Sequence, residues 1–138
     1  IAGTEQVNAA RNISSDSEAY ELYLKGRFYW NLRGADNLKR ALELFEQAVA
    51  KDPNYALAHT GIADAYSLLP VYNVMTPREG MPKAKEAALK ALALDDSLAE
   101  AHTALALVLC TYDYDFVAAE REYKRAIELD PGYGTAHM

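Results

Sequence analysis

The 138-residue chain has room for one domain, and at 51% hydrophobic and 25% charged it has the composition of an ordinary soluble globular protein. Its 14 basic and 20 acidic residues leave a net charge of −6. That excludes a general binder of nucleic acid or of an anionic membrane, since both require excess positive charge. A single cysteine excludes an internal disulfide framework and a cysteine-rich zinc site.

The longest apolar run, Ala104 to Cys110, is far too short to span a bilayer. No basic start, apolar centre and small-residue cleavage site occur together, so no signal peptide is read. The lone cysteine favours a reducing, cytoplasmic interior, with the alternative that a kinase-like membrane parent places the repeats outside. The start at Ile1 and the stop at Met138 read as a piece cut from a longer protein.

Residues 1–15 show no sustained period and read as a linker. Ser15, Asp16 and Ser17 offer capping oxygens for a helix running to about Leu32, which Gly34 breaks. A second helix carries Leu38, Ala41, Leu42, Phe45, Ala48 and Val49, spaced to form one apolar face. Asp52-Pro53-Asn54 ends it, because proline cannot continue the hydrogen-bond ladder.

A third helix is predicted from about Tyr55 to Leu69, stopping near Pro70. An inserted surface loop, about 70–76, carries Tyr72 and Met75. Thr76-Pro77-Arg78-Glu79 is a strong helix start, with a Thr cap, Pro in the first turn and Glu placed to close a capping box. The helix it opens has a small-residue stripe of Ala84, Ala87, Ala88 and Ala91, and Pro82 should kink it or loosen its first turn. Two more helices are expected near 98–112 and 116–129, with Asp113 and Asp115 as cap candidates.

Three phrases repeat along the chain: those around Tyr55-Ala56-Leu57-Ala58-His59, Leu98-Ala99-Glu100-Ala101-His102 and Tyr133-Gly134-Thr135-Ala136-His137. The histidines are 43 and 35 residues apart, in the range of helical-hairpin repeats. The units are 16–53, 54–96 and 97–131, followed by a truncated fourth beginning at 132–138. Alanine contributes 25 residues, as expected where helices approach closely.

These residues resemble the tetratricopeptide repeat (TPR), whose pattern is W-x2-L-G-x2-Y, then A-x3-F, then A and P. Gly26, Tyr29, Ala41, Phe45, Ala48 and Pro53 match in the first unit. Ile62, Ala63, Tyr66, Ala84, Ala88, Ala91 and Asp96 match in the second, and Leu105, Ala106, Leu109, Ala119, Tyr123, Ala126 and Pro131 in the third. The opening Trp is replaced by Leu22, His59, His102 and His137. The resemblance implies an all-α fold, a right-handed α-solenoid of about three antiparallel helical hairpins. Phe45, Tyr66 and Tyr123 would fill the spaces between helices. A large group at Ala63 or Ala106 would overpack.

The strings from Glu18 to Trp30 and from Thr76 to Glu79 are similar to repeats in large bacterial signalling proteins. There such repeats follow a winged-helix DNA-binding, kinase, cyclase or TolB-like segment, which implies a regulatory parent.

No constellation for chemistry stands out. The three histidines recur one hairpin apart rather than converging, so no metal site is expected. Cys110 reads as a small buried hydrophobe. The pairs Asp113/Asp115 and Glu120/Glu122 read as caps and solvated faces. No phosphate-cradling glycine motif occurs. The expectation is no enzyme and no cofactor.

The strongest candidate is a cluster on the first helix. Tyr20, Tyr23, Arg27 and Trp30 recur every three or four residues and share a face, and Tyr, Trp and Arg dominate binding hot spots. In TPR arrays the first helices line a concave groove. Carried over, the resemblance implies a partner-binding wall of Tyr20, Tyr23, Arg27, Trp30 and Asn31, then Leu57, Thr60, Asp64 and Leu68, then Glu100, Thr103, Leu107 and Thr111. Residues 25–40 sum to +4 against −10 for the remainder, which would suit an acidic segment. Tyr23, Arg27, Gly61, Glu100 and Ala104 occupy the region where chaperone-tail-binding TPR proteins carry a Lys/Asn/Arg clamp, and only Arg27 could serve in one. The expected function is a protein-interaction module holding a partner protein or peptide, as scaffold or sensor of a larger bacterial regulatory protein. The alternative is a structural spacer or self-association module, forming a homodimer through the exposed terminal repeat. Neither reading involves nucleic acid or membrane contact by this fragment.

Overall fold

The computed structural model describes residue 14 and residues 16–131. The linker segment 1–13, the cap candidate Ser15, the start of the fourth unit at 132–138 and with it His137 lie outside the described residues. Among those described there are six α-helices, one 3-10 turn and no strand.

Helix α1 (Ser17–Leu32) is capped by Asp16, whose side chain accepts the N–H groups of Glu18 and Ala19. The chain then reverses through Arg33 (φ 63°) and Gly34 (φ 91°), two left-handed residues in succession. Glycine meets that demand without strain. Helix α2 (Ala35–Lys51) buries Leu38, Ala41, Leu44, Phe45 and Ala48 and leaves its charged face in water. The Asp52 carboxylate closes the next turn by accepting the Asn54 N–H at 3.1 Å.

Helix α3 (Ala56–Leu68) buries residues all round because it has neighbours on both sides. It tightens into a 3-10 turn (Leu69–Tyr72) that carries Pro70. Val71 and Tyr72 in this connection are exposed. Helix α4 (Pro77–Leu94) starts at the Thr76 cap, where Oγ1 accepts the Glu79 N–H at 3.2 Å. The Glu79 carboxylate takes the Thr76 hydroxyl instead of reaching back to a backbone N–H, so only half of the expected capping box forms. The helix runs through Pro82 without interruption. The carbonyl that Pro82 cannot serve belongs to Arg78, and both residues are exposed to water.

Helix α5 (Ala99–Thr111) is buried like α3. Helix α6 (Phe116–Leu129) is capped by Asp115, which accepts the Ala118 N–H at 3.1 Å. The other cap candidate, Asp113, instead pairs with Lys85 at 2.7 Å.

Each even helix packs on the odd helix before it, and α2 and α4 also pack on the odd helix after them, while α1, α3 and α5 touch in succession. The result is an α-solenoid of hairpins with the first helices as a continuous inner layer. No described helix is long and apolar enough to cross a membrane.

The Phe45 ring fills the space between the first helices and is fully buried. A Cβ added at Gly26 would lie 2.5 Å from its Cε1, and one at Gly61 would lie 2.7 Å from its Cδ1. Tyr66 and Tyr123, expected in the same role, are only partly buried, because each lies nearer the array surface. Cys110 is likewise half-buried, at the edge of a cluster built on Leu105 and Leu109. Ala63 and Ala106 are fully buried.

Gly26→Ala should therefore destabilise the fold. Overpacking costs about 1–3 kcal/mol, against about 1 kcal/mol gained from the helix propensity of alanine. Urea unfolding should show a lower midpoint for Gly26→Ala, and a smaller loss when the same change is made on Phe45→Leu, because the two sites share one space.

Candidate functional site

The inner layer lines an open groove of about 520 Å³. Helix α1 contributes Tyr23, Arg27, Trp30 and Asn31, α3 contributes Asp64, Ser67 and Leu68, and α5 contributes Glu100, Thr103, Ala104 and Leu107. Arg33 reaches it from the end of α1 and Tyr123 from α6. Nine of the residues expected on the groove thus come together.

Four expected residues do not line it. Tyr20 packs beside Ala19 and Tyr55, against the core. Leu57 is buried in that same cluster. Thr60 is fully buried and its hydroxyl donates to the Ala56 carbonyl at 3.2 Å. These two belong to the first turns of α3, where helices close over both flanks. Thr111 is exposed at the end of α5, its hydroxyl donating to the Leu107 carbonyl at 2.7 Å. Of the four lining residues outside the expected wall, Ser67 and Ala104 are small neighbours of expected ones, and the other two are Arg33 and Tyr123. The first lies beyond a helix end and the second on a second helix, where no motif position marks a groove residue.

Arg27 organises one side of the groove. Its Nη1 lies 2.8 Å from Asp64 Oδ2, with the two side chains only 21% and 19% exposed. Its Nε donates to the Tyr23 hydroxyl at 3.1 Å. Its guanidinium lies 5.5 Å from the Tyr23 ring centre, 5.2 Å from Trp30 and 5.5 Å from Phe45. Burial opposes the Arg27 charge, but Asp64 and Tyr23 outweigh it, and the guanidinium holds its proton more firmly than usual. Arg27 is therefore not a free cation awaiting an acidic partner. Burial pushes the Tyr23 phenol up, partly offset by Arg27.

Arg33 stacks its guanidinium 4.1 Å from the Trp30 ring centre. The left-handed backbone at Arg33 directs it there instead of onward along the helix. Trp30 is the only tryptophan of the chain. Its Nε1 and the Thr103 Oγ1 are buried with no hydrogen-bond partner. Unpaired groups of this kind are rare in folded proteins, and leaving one unmade costs about 1–3 kcal/mol.

The Glu100 carboxyl is raised above its ordinary 4.5, first by burial, opposed by a hydrogen bond from its own backbone N–H and by Arg27, with Asp130 and Asp64 adding to the rise. Among the described residues Glu100 enters no ion pair, whereas Asp64 does.

The histidines serve the turns between hairpins. His59 Nε2 donates to the Pro53 carbonyl at 2.9 Å, and His102 Nε2 donates to that of Asp96 at 2.7 Å. Nδ1 of His102 also reaches Glu122 at 2.6 Å. Among the described residues no cluster of three or more His, Cys, Asp or Glu could hold a metal.

Helical hairpins stacked in tandem, small residues at the helix crossings and an inner wall of first helices define the tetratricopeptide-repeat fold, and this chain has that fold. It is similar to the first TPR of Spaghetti (RPAP3) bound to the HSP90 peptide SRMEEVD, with TM-score 0.69 and 22% identity over 87% of this chain and 84% of that one. It is also similar to the second TPR of the same protein, bound to the same peptide, with TM-score 0.65 and 18% identity over 82% and 93%. The Sgt2 TPR domain from Aspergillus fumigatus aligns with TM-score 0.67 and 22% identity over 84% and 68%. In sequence, the chain is 28% identical over 128 residues to the transcriptional regulator HilA of Salmonella typhimurium and of Salmonella typhi. That match takes in 93% of this chain and 22% of the regulator's length. No protein-family model matches the chain.

The raised Glu100 carboxyl has a stability consequence. As pH climbs past 4.5, the unfolded chain ionises before the folded one, so stability falls until the folded carboxyl has also ionised. Glu100→Gln should remove that fall. Thermal melts should give the variant the higher Tm at pH 7, with the advantage vanishing by pH 4.

Proposed function

We propose that this chain is a protein-interaction module whose inner groove binds an extended or helical segment of a partner protein, without covalent chemistry. The observation that carries the reading is the groove itself. It joins aromatic, aliphatic and charged side chains of α1, α3 and α5 in one cavity, and two buried polar atoms of its lining residues, Trp30 Nε1 and Thr103 Oγ1, lack partners. Aromatic rings and arginines in such a place are the residue types that anchor interfaces. The two RPAP3 domains of the same fold that hold a peptide support a peptide ligand here as well. The likeness to HilA supports a place within a larger bacterial transcription regulator. Tyr23, Arg27, Trp30, Asn31, Asp64, Leu68, Glu100, Thr103 and Leu107 are the proposed contact residues.

Leu107 offers the cleanest test, because it lies on the groove and is 38% exposed. Leu107→Glu should weaken capture of peptides selected on the native chain by about tenfold or more, as hot-spot truncations do, while circular dichroism stays native. Unaltered capture would remove the groove from the reading.

A second reading, self-association, is favoured by one observation. Leu24, Phe28 and Leu32 recur every four residues on α1 and are 47%, 59% and 53% exposed. They form an apolar stripe on the side away from the buried Gly26. Phe116 and Val117 present a smaller exposed patch at the start of α6, in the unit first expected to dimerise. Light scattering over a concentration series should show a dimer under this reading, dispersed by Phe28→Glu if the stripe is the seam, or by Val117→Glu if it is the third unit. A monomer at every concentration refutes it.

A further inference from the structure

We propose that the segment bound in the groove carries a basic side chain, an arginine or lysine, seated against Glu100. The inference rests on the groove reading above and gives the partner its chemistry.

Four ionisable side chains other than the tyrosines line the cavity: Arg27, Arg33, Asp64 and Glu100. Arg27 and Asp64 already satisfy one another at 2.8 Å, and Arg27 is further held by the Tyr23 hydroxyl. An acidic ligand reaching for Arg27 would have to displace a half-buried carboxylate that is already in place. Arg33 is exposed, stacked on Trp30. Glu100 is the carboxylate of the set with no ion-pair partner among the described residues, and it is half-buried.

Glu100 stands in the first turn of α5, near enough to Tyr23 to disfavour ionisation of its phenol. Arg33 follows the end of α1 and stacks on Trp30, the ring that Arg27 also contacts. Outside the closed Arg27–Asp64 pair the groove therefore offers one carboxylate and one guanidinium that is already stacked on a ring. A guanidinium or ammonium meets the need of Glu100. A peptide ending in several carboxylates brings no cation to it and adds like charge instead.

The test uses Trp30 as the reporter, since it is the only tryptophan and lines the groove. N-acetylated, C-amidated heptapeptide pools would be titrated onto the chain, random at every position except a central residue fixed as Arg, Ala or Glu. The Arg pool should shift Trp30 emission at the lowest concentration and the Glu pool at the highest. Glu100→Gln should weaken the Arg pool about tenfold more than it weakens the Ala pool, the effect of losing one charge-assisted bond. A Glu pool that binds more tightly than the Arg pool, or an Arg pool indifferent to Glu100→Gln, overturns the basic-partner inference while leaving the groove as a binding site. If no pool perturbs Trp30, the groove reading falls together with the inference.

Discussion

The structure depends on one ring between two glycines. Phe45 from the second helix of the first hairpin occupies space that a methyl group at either Gly26 or Gly61 would invade. This contact sets how closely α1 and α3 approach. The same ring stacks at 5.8 Å against Tyr23 and lies under the Arg27 guanidinium. The residue that fixes the spacing of the first helices thus also backs two residues of the groove wall, Tyr23 and Arg27. Core packing and the site are not separate layers here, because interiors are dense enough for a displacement at the ring to be felt by everything touching it.

The groove arranges its charges unevenly. The Arg27–Asp64 pair spans two adjacent first helices and is well shielded from water, so it holds α1 and α3 in register as well as cancelling its own charge. What remains is a half-buried carboxylate, Glu100, and a guanidinium stacked on Trp30, that of Arg33.

Most of the fold was legible in the sequence, for local reasons. The three- and four-residue spacing of Leu38, Ala41, Phe45 and Ala48 could belong only to an amphipathic helix, and Asp16, Thr76 and Asp115 cap helices as their chemistry dictates. The groove was legible at Arg27, Asp64 and Glu100 because motif position carries a side chain to the inner face. It failed at Leu57 and Thr60 because α3 is flanked on both sides, and which part of its circumference stays open depends on neighbours absent from any local pattern. It failed at Arg33 because a left-handed turn, not helical periodicity, aims that side chain. The basic charge of residues 25–40 was misleading at its centre. Summed charge says nothing of Asp64, which lies more than twenty residues downstream in sequence and neutralises Arg27 in space.

The histidines at the head of α3 and α5 close the connecting turns onto carbonyls only six residues earlier. The joint between one hairpin and the next is thus written in seven contiguous residues, to which the second joint adds Glu122 from the following helix. Such a joint travels intact when its stretch of gene is copied or deleted, so an array of this kind can lengthen or shorten by whole hairpins while keeping its pitch.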